Sequence, residues 1–356
     1  ICFMLYKTFK KLAFTFDPEG AHDLTIKLMQ LAPPLAELYG GQRGDLSGGR
    51  YTLKTRHNNS WSFPIGLAAG LDKNGEAIDF LTRLGFGAIE VGTVTPKPQS
   101  GNPRPRLHRY IADESLRNSM GFNNHGMEFL ARNIAHTSRN SKVLGVNLGK
   151  NKVTSNDQAA LDYQKLYQKF CRGADYLVIN ISSPNTEGLR SLQEVDNFKI
   201  ILDALERGRR EYFCPLWVKI APDLEPQEIS ALLEVIKEYK LAGVIATNTT
   251  VLSERGEGGV SGRLLAAKAQ RVRTQILDEL RETPRIELIG VGGVSSFEQV
   301  WEFWKHGGRL MQIYSSFIFQ GPAILNSFRR QIDYLLDKNQ VDTLAELLDN
   351  IDLATR

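Results

Sequence analysis

The sequence predicts an α/β protein: a (β/α)8 barrel of the TIM type, preceded by a small amphipathic helical extension. Three observations carry this. From residue 63 onward short apolar runs alternate with longer helical patterns, polar residues gather at one end of those runs, and the first 40 residues follow a pattern of their own.

A chain of 356 residues suits two ordinary domains or one large barrel. With 42% hydrophobic and 24% charged residues it matches a globular protein and excludes disorder, collagen and an integral membrane bundle. The balance of 44 basic against 40 acidic residues leaves +4, too little for a dedicated nucleic-acid binder, so anions are expected to be bound locally. Cys2, Cys171 and Cys214 form no C-x-x-C pair, which fits a reducing compartment and supports neither a disulfide framework nor a cysteine metal site. No H-E-x-x-H, histidine cluster or pair of strand-end carboxylates occurs, so no metal is expected and glycosidase chemistry lacks its residues. No G-x-G-x-x-G follows a strand, which argues against a Rossmann site.

In order along the chain, residues 1–16 are apolar apart from Thr8, Thr15 and the lysines Lys7, Lys10 and Lys11, which share one face at helical spacing. Those lysines interrupt any signal peptide or spanning helix. Asp17-Pro18 reads as an N-cap followed by proline at the first helical position, Leu24, Leu28 and Leu31 mark one face, and Pro33-Pro34 ends the helix. Two short amphipathic helices result, which either pack on the main domain or lie on a membrane surface. His22, alone on the second, is by base rate a packing or surface histidine.

Barrel strands are expected at 63–70, 87–93, 142–149, 175–182, 215–221, 242–249, 286–293 and 310–316. Helices are expected at 75–84, 158–172, 195–212, 225–240, 264–282, 295–305 and 324–338. A doubly wound open sheet, which usually has fewer strands, is the alternative, and no tandem repeat of solenoid length is evident. The acidic stretch 337–352 reads as a solvated helix.

In such a barrel the chemistry belongs where strands end and βα loops begin. The expected strands end in Asp72-Lys73, Thr93, Asn147, Asn180 with Ser182-Ser183-Pro184-Asn185, Lys219, Thr247-Asn248-Thr249, Gly292-Gly293 and Tyr314-Ser315. The glycines with Tyr314-Ser315 suit a phosphate, because glycine lets the backbone approach closely. A lysine in a barrel mouth is a desolvated cation that needs an anion or an electron-rich ring, so Lys73 and Lys219 imply anionic ligands. Asn118, Asn147, Asn180, Asn185 and Asn248 offer donors and acceptors together, which suits the edge of a flat, pyrimidine-like imide.

These residues resemble the quinone-dependent (class 2) dihydroorotate dehydrogenase family. The resemblance is carried by GLAAGLDKN at 66–74, EVGTVTPKPQSGNPRPR at 90–106, NSMGFNN at 118–124, GVNLGKN at 145–151 and NISSPNTEGLR at 180–190. It continues in VKIAPD at 218–223, ATNTT at 246–250, GVSGR at 259–263, GVGGV at 290–294 and QIYSS at 312–316. DPEGAH at 17–22 matches the family's N-terminal extension.

The resemblance implies oxidation of dihydroorotate to orotate through FMN, in pyrimidine biosynthesis, with a membrane quinone as acceptor. It implies that Ala69, Gly70, Thr93, Asn147, Asn180, Lys219, Thr247, Gly262, Gly292, Gly293, Tyr314 and Ser315 hold FMN. Lys73, the loop Asn118, Ser119, Met120, Gly121 and Phe122, and Asn180, Asn185, Asn248 and Thr249 would meet the substrate. Ser183 would be the base that takes the C5 proton while the C6 hydride leaves, through a relay, because an alcohol is a poor base. Class 1 enzymes carry cysteine there. Lys219 would stabilise the reduced ring, and His22, Arg106 and Tyr314 would face the quinone, with Arg106 donating to its carbonyl. Residues 1–40 would form a membrane and tunnel extension with its lysine face on anionic lipid, residues 41–339 the barrel and 340–356 an acidic tail. The protein would be peripheral on the cytoplasmic face of a bacterial membrane, with no obligate protein partner. Two departures stand out: Ser119 where the family often has arginine, and a short segment between Thr250 and Gly259. The alternatives are another FMN barrel, such as a class 1 enzyme, and a non-enzymatic membrane-surface scaffold.

Overall fold

The computed structural model describes residues 2–39, 49–57, 59–139, 142–283 and 285–351. Eight parallel strands close a barrel: Ile65–Leu67, Ala88–Val94, Val143–Leu148, Tyr176–Asn180, Leu216–Ile220, Gly243–Ala246, Glu287–Gly290 and Leu310–Ile313. Each pairs with the next in sequence, and the eighth returns to the first through Met311 opposite Ile65. Every expected strand forms, and all but the second, Ala88–Val94, are shorter than their apolar runs, because the C-terminal residues of those runs turn out of the ladder into the mouth. The strands are buried along nearly their whole length, as a parallel sheet with helices outside and side chains inside requires.

The expected helices form as Ala159–Phe170, Val195–Glu211, Pro226–Glu238, Ala266–Leu280, Phe297–Lys305 and Ala323–Asn339. The stretch 75–84 gives a single turn at Ile78–Leu81 and a 3-10 turn at Thr82–Leu84. A further helix, Met127–His136, follows the second strand and was not expected. The chain reaches it only after an excursion that forms the hairpin Leu107–Tyr110 and Ser115–Asn118, extended by Gly259–Gly262 and Thr250–Val251 into a four-stranded antiparallel sheet beside the mouth. The segment after Thr250 thus opens as a short edge strand, Thr250–Val251, and continues through a 3-10 turn at Ser253–Arg255.

The expected solvated helix of the acidic tail is corrected by the structure. Leu344–Asp349 is a helix capped by Thr343, and Leu344, Leu347 and Leu348 are buried in the main core. Leucines at i, i+3 and i+4 outweigh the acidic composition, which occupies the other face.

The extension comprises α1 (Cys2–Ala13), α2 (Pro18–Leu31) and a 3-10 turn at Pro33–Leu38. No described helix is long and apolar enough to cross a membrane. Tyr6 donates to the carbonyl of Ile318 at 2.7 Å, and Lys10 donates to that of Phe319 at 2.8 Å. Lys10 therefore turns toward the barrel, while Lys7 and Lys11 face outward, so the three lysines do not act as one lipid-facing surface. Gly321, at φ +70°, allows this approach, since a Cβ there would lie 2.3 Å from the Tyr6 ring. Arg109 donates to the carbonyls of Phe14 and Phe16 and stacks on the Phe14 ring at 4.5 Å, satisfying the C-terminal end of α1. Asp17 caps the Gly20 N–H at 2.8 Å, as its sequence position predicts.

One buried ion pair ties α2 to the barrel. Arg106 donates to Glu19 through Nε at 3.1 Å and Nη2 at 2.7 Å, and Arg104 adds a contact at 2.9 Å. Burial pushes the Glu19 carboxyl up, but the hydrogen bonds and charges of Arg106 and Arg104 outweigh it and leave it below its ordinary value. Glu19→Ala should strip the acid from a buried guanidinium and weaken docking of α2 by about 3 kcal/mol. The expected readout is faster hydrogen exchange across residues 2–38, with barrel helices such as Val195–Glu211 unchanged. Because the folded carboxyl titrates below the unfolded one, the contribution is present above the usual carboxylate range and disappears as pH falls through it. Exchange in the wild type should therefore rise selectively in the extension at acid pH.

Candidate active site

The barrel mouth holds a cavity bordered by residues from seven of the eight strand ends or the loops that follow them, the third strand contributing none. Ala69, Gly70, Thr93, Asn180, Lys219, Thr247, Gly262, Gly292, Gly293, Tyr314 and Ser315 line it, as do Lys73, Asn118, Met120, Gly121, Phe122, Ser183, Asn185, Asn248 and Thr249. Two expected contacts are absent from the lining. Asn147 lies one layer deeper: its Oδ1 accepts from Thr93 at 2.5 Å and from Asn180 at 2.9 Å, and its Nδ2 donates to Glu90 at 2.8 Å. Ser119 is turned aside, its carbonyl held by Asn102 and its N–H by the carbonyl of Arg106. The side chain at that position therefore does not shape the cavity wall.

Beneath the mouth lies a charge that sequence reading missed. Glu90, the one acid within the second strand, is buried and accepts from Asn147, Tyr176 at 3.2 Å and Gln312 at 2.7 Å. Its Oε1 is 4.0 Å from the ammonium of Lys219, which is 5% exposed. Burial pushes the Lys219 pKa down and Glu90 opposes this. A charged residue inside AIEVGTV was visible as an anomaly, but its partners come from three other strands that no local pattern connects.

Ser183 is 6% exposed and its Oγ accepts from the Asn185 N–H at 3.2 Å. Asn185 donates to Asn118 at 2.9 Å, and Asn248 donates to Ser182 at 2.9 Å, which joins the asparagines of three loops. The serine loop is fastened by Arg190, which donates to the carbonyls of Ser182 at 3.1 Å and Thr249 at 2.9 Å and pairs with Asp223 at 2.9 Å. Asp223 also receives Lys268 and Thr250, each at 2.5 Å. Burial raises its carboxyl, and these partners bring it below the ordinary range. Thr186, three residues after Ser183, has a buried hydroxyl with no partner among the described residues.

At the far side Gly292 (φ +106°) turns tightly against Ala269 and Gly293 (φ +73°) against Ala266, which side chains would forbid. Arg273 is buried behind this turn and donates to the carbonyls of Val291 at 2.8 Å and Gly292 at 3.0 Å. Burial lowers its pKa to about 10. A glycine turn of this kind, which lets the backbone approach closely, suits a phosphate.

The residues present fit a flavin. Lys219 has no hydrogen-bond acceptor among the described residues, and Asn185 Oδ1 and Thr249 Oγ1 are buried without partners in the same cavity. An anionic ring edge and imide groups would satisfy these atoms.

A second, apolar cavity lies between the extension and the barrel, bordered by Phe9, Phe14, Ile26, Leu28, Met29 and Phe317, and it meets the mouth at His22, Leu107, Leu116 and Tyr314. Burial raises the Tyr314 hydroxyl to about 12. Arg106 does not border this cavity. Beyond Glu19, its Nη1 is committed to the carbonyls of Ser100 and Asn102 at 2.5 and 2.7 Å, so it anchors α2 instead of reaching into the apolar space. Burial lowers Lys73 to about 8, eased by Glu19 and Asp23.

Comparison with known proteins agrees with this geometry. The profile of the dihydroorotate dehydrogenase family matches residues 53–336. The chain is 40% identical to the dihydroorotate dehydrogenase (quinone) of Sulfurovum sp., covering 97% of this chain and 98% of the relative. It is 42% identical to that of Pectobacterium atrosepticum, covering 90% and 98%. The crystal structure of the Eimeria tenella enzyme in complex with ferulenol superposes with a TM-score of 0.81 at 32% identity, covering 92% of this chain and 93% of that one. The sequence, the barrel and the mouth converge: this chain belongs to the dihydroorotate dehydrogenase family.

Proposed function

We propose that the protein oxidises (S)-dihydroorotate to orotate through FMN and passes the electron pair to a membrane quinone, as a step of pyrimidine synthesis. The observation that carries this is the junction at Tyr314 and His22, where a polar mouth holding Ser183 and Lys219 meets an apolar cavity under the extension. A scaffold needs neither cavity, and a class 1 enzyme would lack the extension.

Family membership implies a flavin, and the glycine turn backed by Arg273 favours the phosphorylated form, FMN. When bound, FMN supplies the acceptor for the C6 hydride. The rest falls to the chain. Asn118, Asn180, Asn185 and Asn248 orient the planar substrate, and Lys73 meets its carboxylate. Ser183 takes the C5 proton and passes it on through a relay, for which the unpartnered Thr186 hydroxyl stands three residues away. Lys219 steadies negative charge on the cofactor's ring edge. Tyr314 and His22 face the quinone, while Arg106 acts only through Glu19.

Peripheral membrane attachment, on the cytoplasmic face of a bacterial membrane, is supported by the exposed side chains of Leu12, Phe16, Leu24, Leu28, Leu31, Leu35 and Leu38. They crowd onto the extension around the apolar cavity, with Lys7, Lys11 and Lys27 exposed beside them.

The purified protein should be yellow, bleach anaerobically with dihydroorotate and recover its colour with a quinone but not with fumarate or NAD. Recovery with fumarate would favour the class 1 reading, and no bleaching would sink both. Ser183→Ala should stay folded and yellow while flavin reduction slows about 100-fold or more in rapid mixing, the scale of a lost general base. Lys219→Met should lower flavin retention or the rate of flavin reduction. Normal values of both would remove Lys219 from the assigned role.

A further inference from the structure

A third cavity lies beside the other two, and it is polar. It is roofed by α2 through Glu19, His22 and Asp23, walled by the loops carrying Lys73 and Asn123, and bordered at solvent by the exposed side chains of Lys27 and Arg104. Among the described residues it shares three with the apolar cavity: His22, Ile26 and Leu71. His22 is the sole polar member of that set, and it borders the catalytic mouth as well.

The chemistry of the proposed reaction requires such a junction. Oxidising dihydroorotate yields two electrons and two protons. The electrons leave with one hydrogen as hydride, and the C5 proton departs through Ser183. Quinone reduction to quinol takes up two electrons and two protons, so one proton per turnover must come from water into an apolar chamber. The other polar side chains of the apolar cavity, Tyr6, Lys10, Thr25, Tyr39, Arg109 and Tyr314, do not border the polar one, and Tyr6, Lys10 and Thr25 donate to the carbonyls of Ile318, Phe319 and Ala21.

We propose that the polar cavity under α2 is the proton-entry port for quinone reduction and that His22 is the relay between its water and the quinone oxygen. The inference rests on the quinone reading above. Imidazole accepts a proton from cavity water at one nitrogen while the other N–H protonates the quinone oxygen, and rotation of the ring restores the starting tautomer. Burial and the neighbouring Lys73 ammonium hold His22 far below its ordinary pKa, at about 3, so the ring rests neutral, with one donor and one acceptor.

The experiment separates the two half-reactions in rapid mixing. If wild-type reduced protein does not react with quinone, the quinone reading itself fails. Given that it does, His22→Ala should reduce flavin with dihydroorotate at the normal rate. At saturating quinone its reoxidation should slow at least about 10-fold, show a larger solvent deuterium isotope effect and be restored by added imidazole. A variant that only raises the quinone KM, with kcat intact and no imidazole rescue, makes His22 a simple quinone contact and overturns the proposal. Asn123→Leu gives an independent check, because Asn123 borders the polar cavity alone and its Oδ1 has no partner to lose. In an otherwise unaltered chain it should slow reoxidation several-fold with an increased isotope effect, leaving flavin reduction unchanged. Unchanged reoxidation in this variant also overturns the port.

Discussion

A lysine ammonium buried at the end of the fifth barrel strand sets the terms for much of the mouth. Lys219 cannot be left in an apolar barrel without compensation, because a desolvated cation is costly. Glu90 answers it from below at 4.0 Å, too far for a hydrogen bond, so the charge is balanced yet its donors remain available above. Glu90 in turn has to be satisfied, and Asn147, Tyr176 and Gln312 do so from the third, fourth and eighth strands. Asn147 passes the constraint upward to Thr93 and Asn180, which border the cavity. One cation thus fixes a polar layer that crosses the barrel from side to side. Buried networks of this kind specify a single arrangement where their members find partners, and here the Oε1 of Gln312 is left without one among the described residues.

The barrel was legible because parallel strands covered on both faces read as apolar runs, and because each run ended in a polar residue. The site was legible for the same reason: Lys73, Ser183, Lys219 and Asn248 all sit where a run stops. Two other kinds of feature escaped. Glu90 with its partners, and Arg190 with Asp223 and Lys268, are long-range pairings between residues that look like ordinary surface or strand positions when read singly. The helix Met127–His136 and the antiparallel sheet beside the mouth lie in an excursion where neither period dominates. Arg106 shows a different failure. The family resemblance points this arginine at the quinone, whereas its donors go to Glu19 and two backbone carbonyls. The acidic tail shows that composition can mask periodicity, since three buried leucines decide its packing.

The extension follows a logic unlike that of the barrel. Its exposed leucines leave much of its apolar surface facing outward, and its attachment relies on a few directed contacts: Tyr6 and Lys10 to the carbonyls of one short barrel helix, Arg109 to the end of α1, and Glu19 to Arg106. Directional bonds hold a register without filling the space between the partners, which leaves an apolar cavity in place of a packed interface. A tightly packed junction of the same two surfaces would have no room for a second substrate.

The Arg190 cluster has a consequence for how the serine loop can move. Arg190 binds Ser182 on its own loop, Thr249 on the loop after the sixth strand and Asp223 after the fifth, while Lys268 joins from a surrounding helix. Lifting the serine loop alone would leave the Asp223 carboxylate with one partner fewer and free the Arg190 guanidinium from the Thr249 carbonyl. These losses fall together, so partial opening gains little, and the loop behaves as one panel hinged to its neighbours. Opening the mouth at the serine loop therefore requires the contacts of Arg190 to Thr249 and to Asp223 to break together.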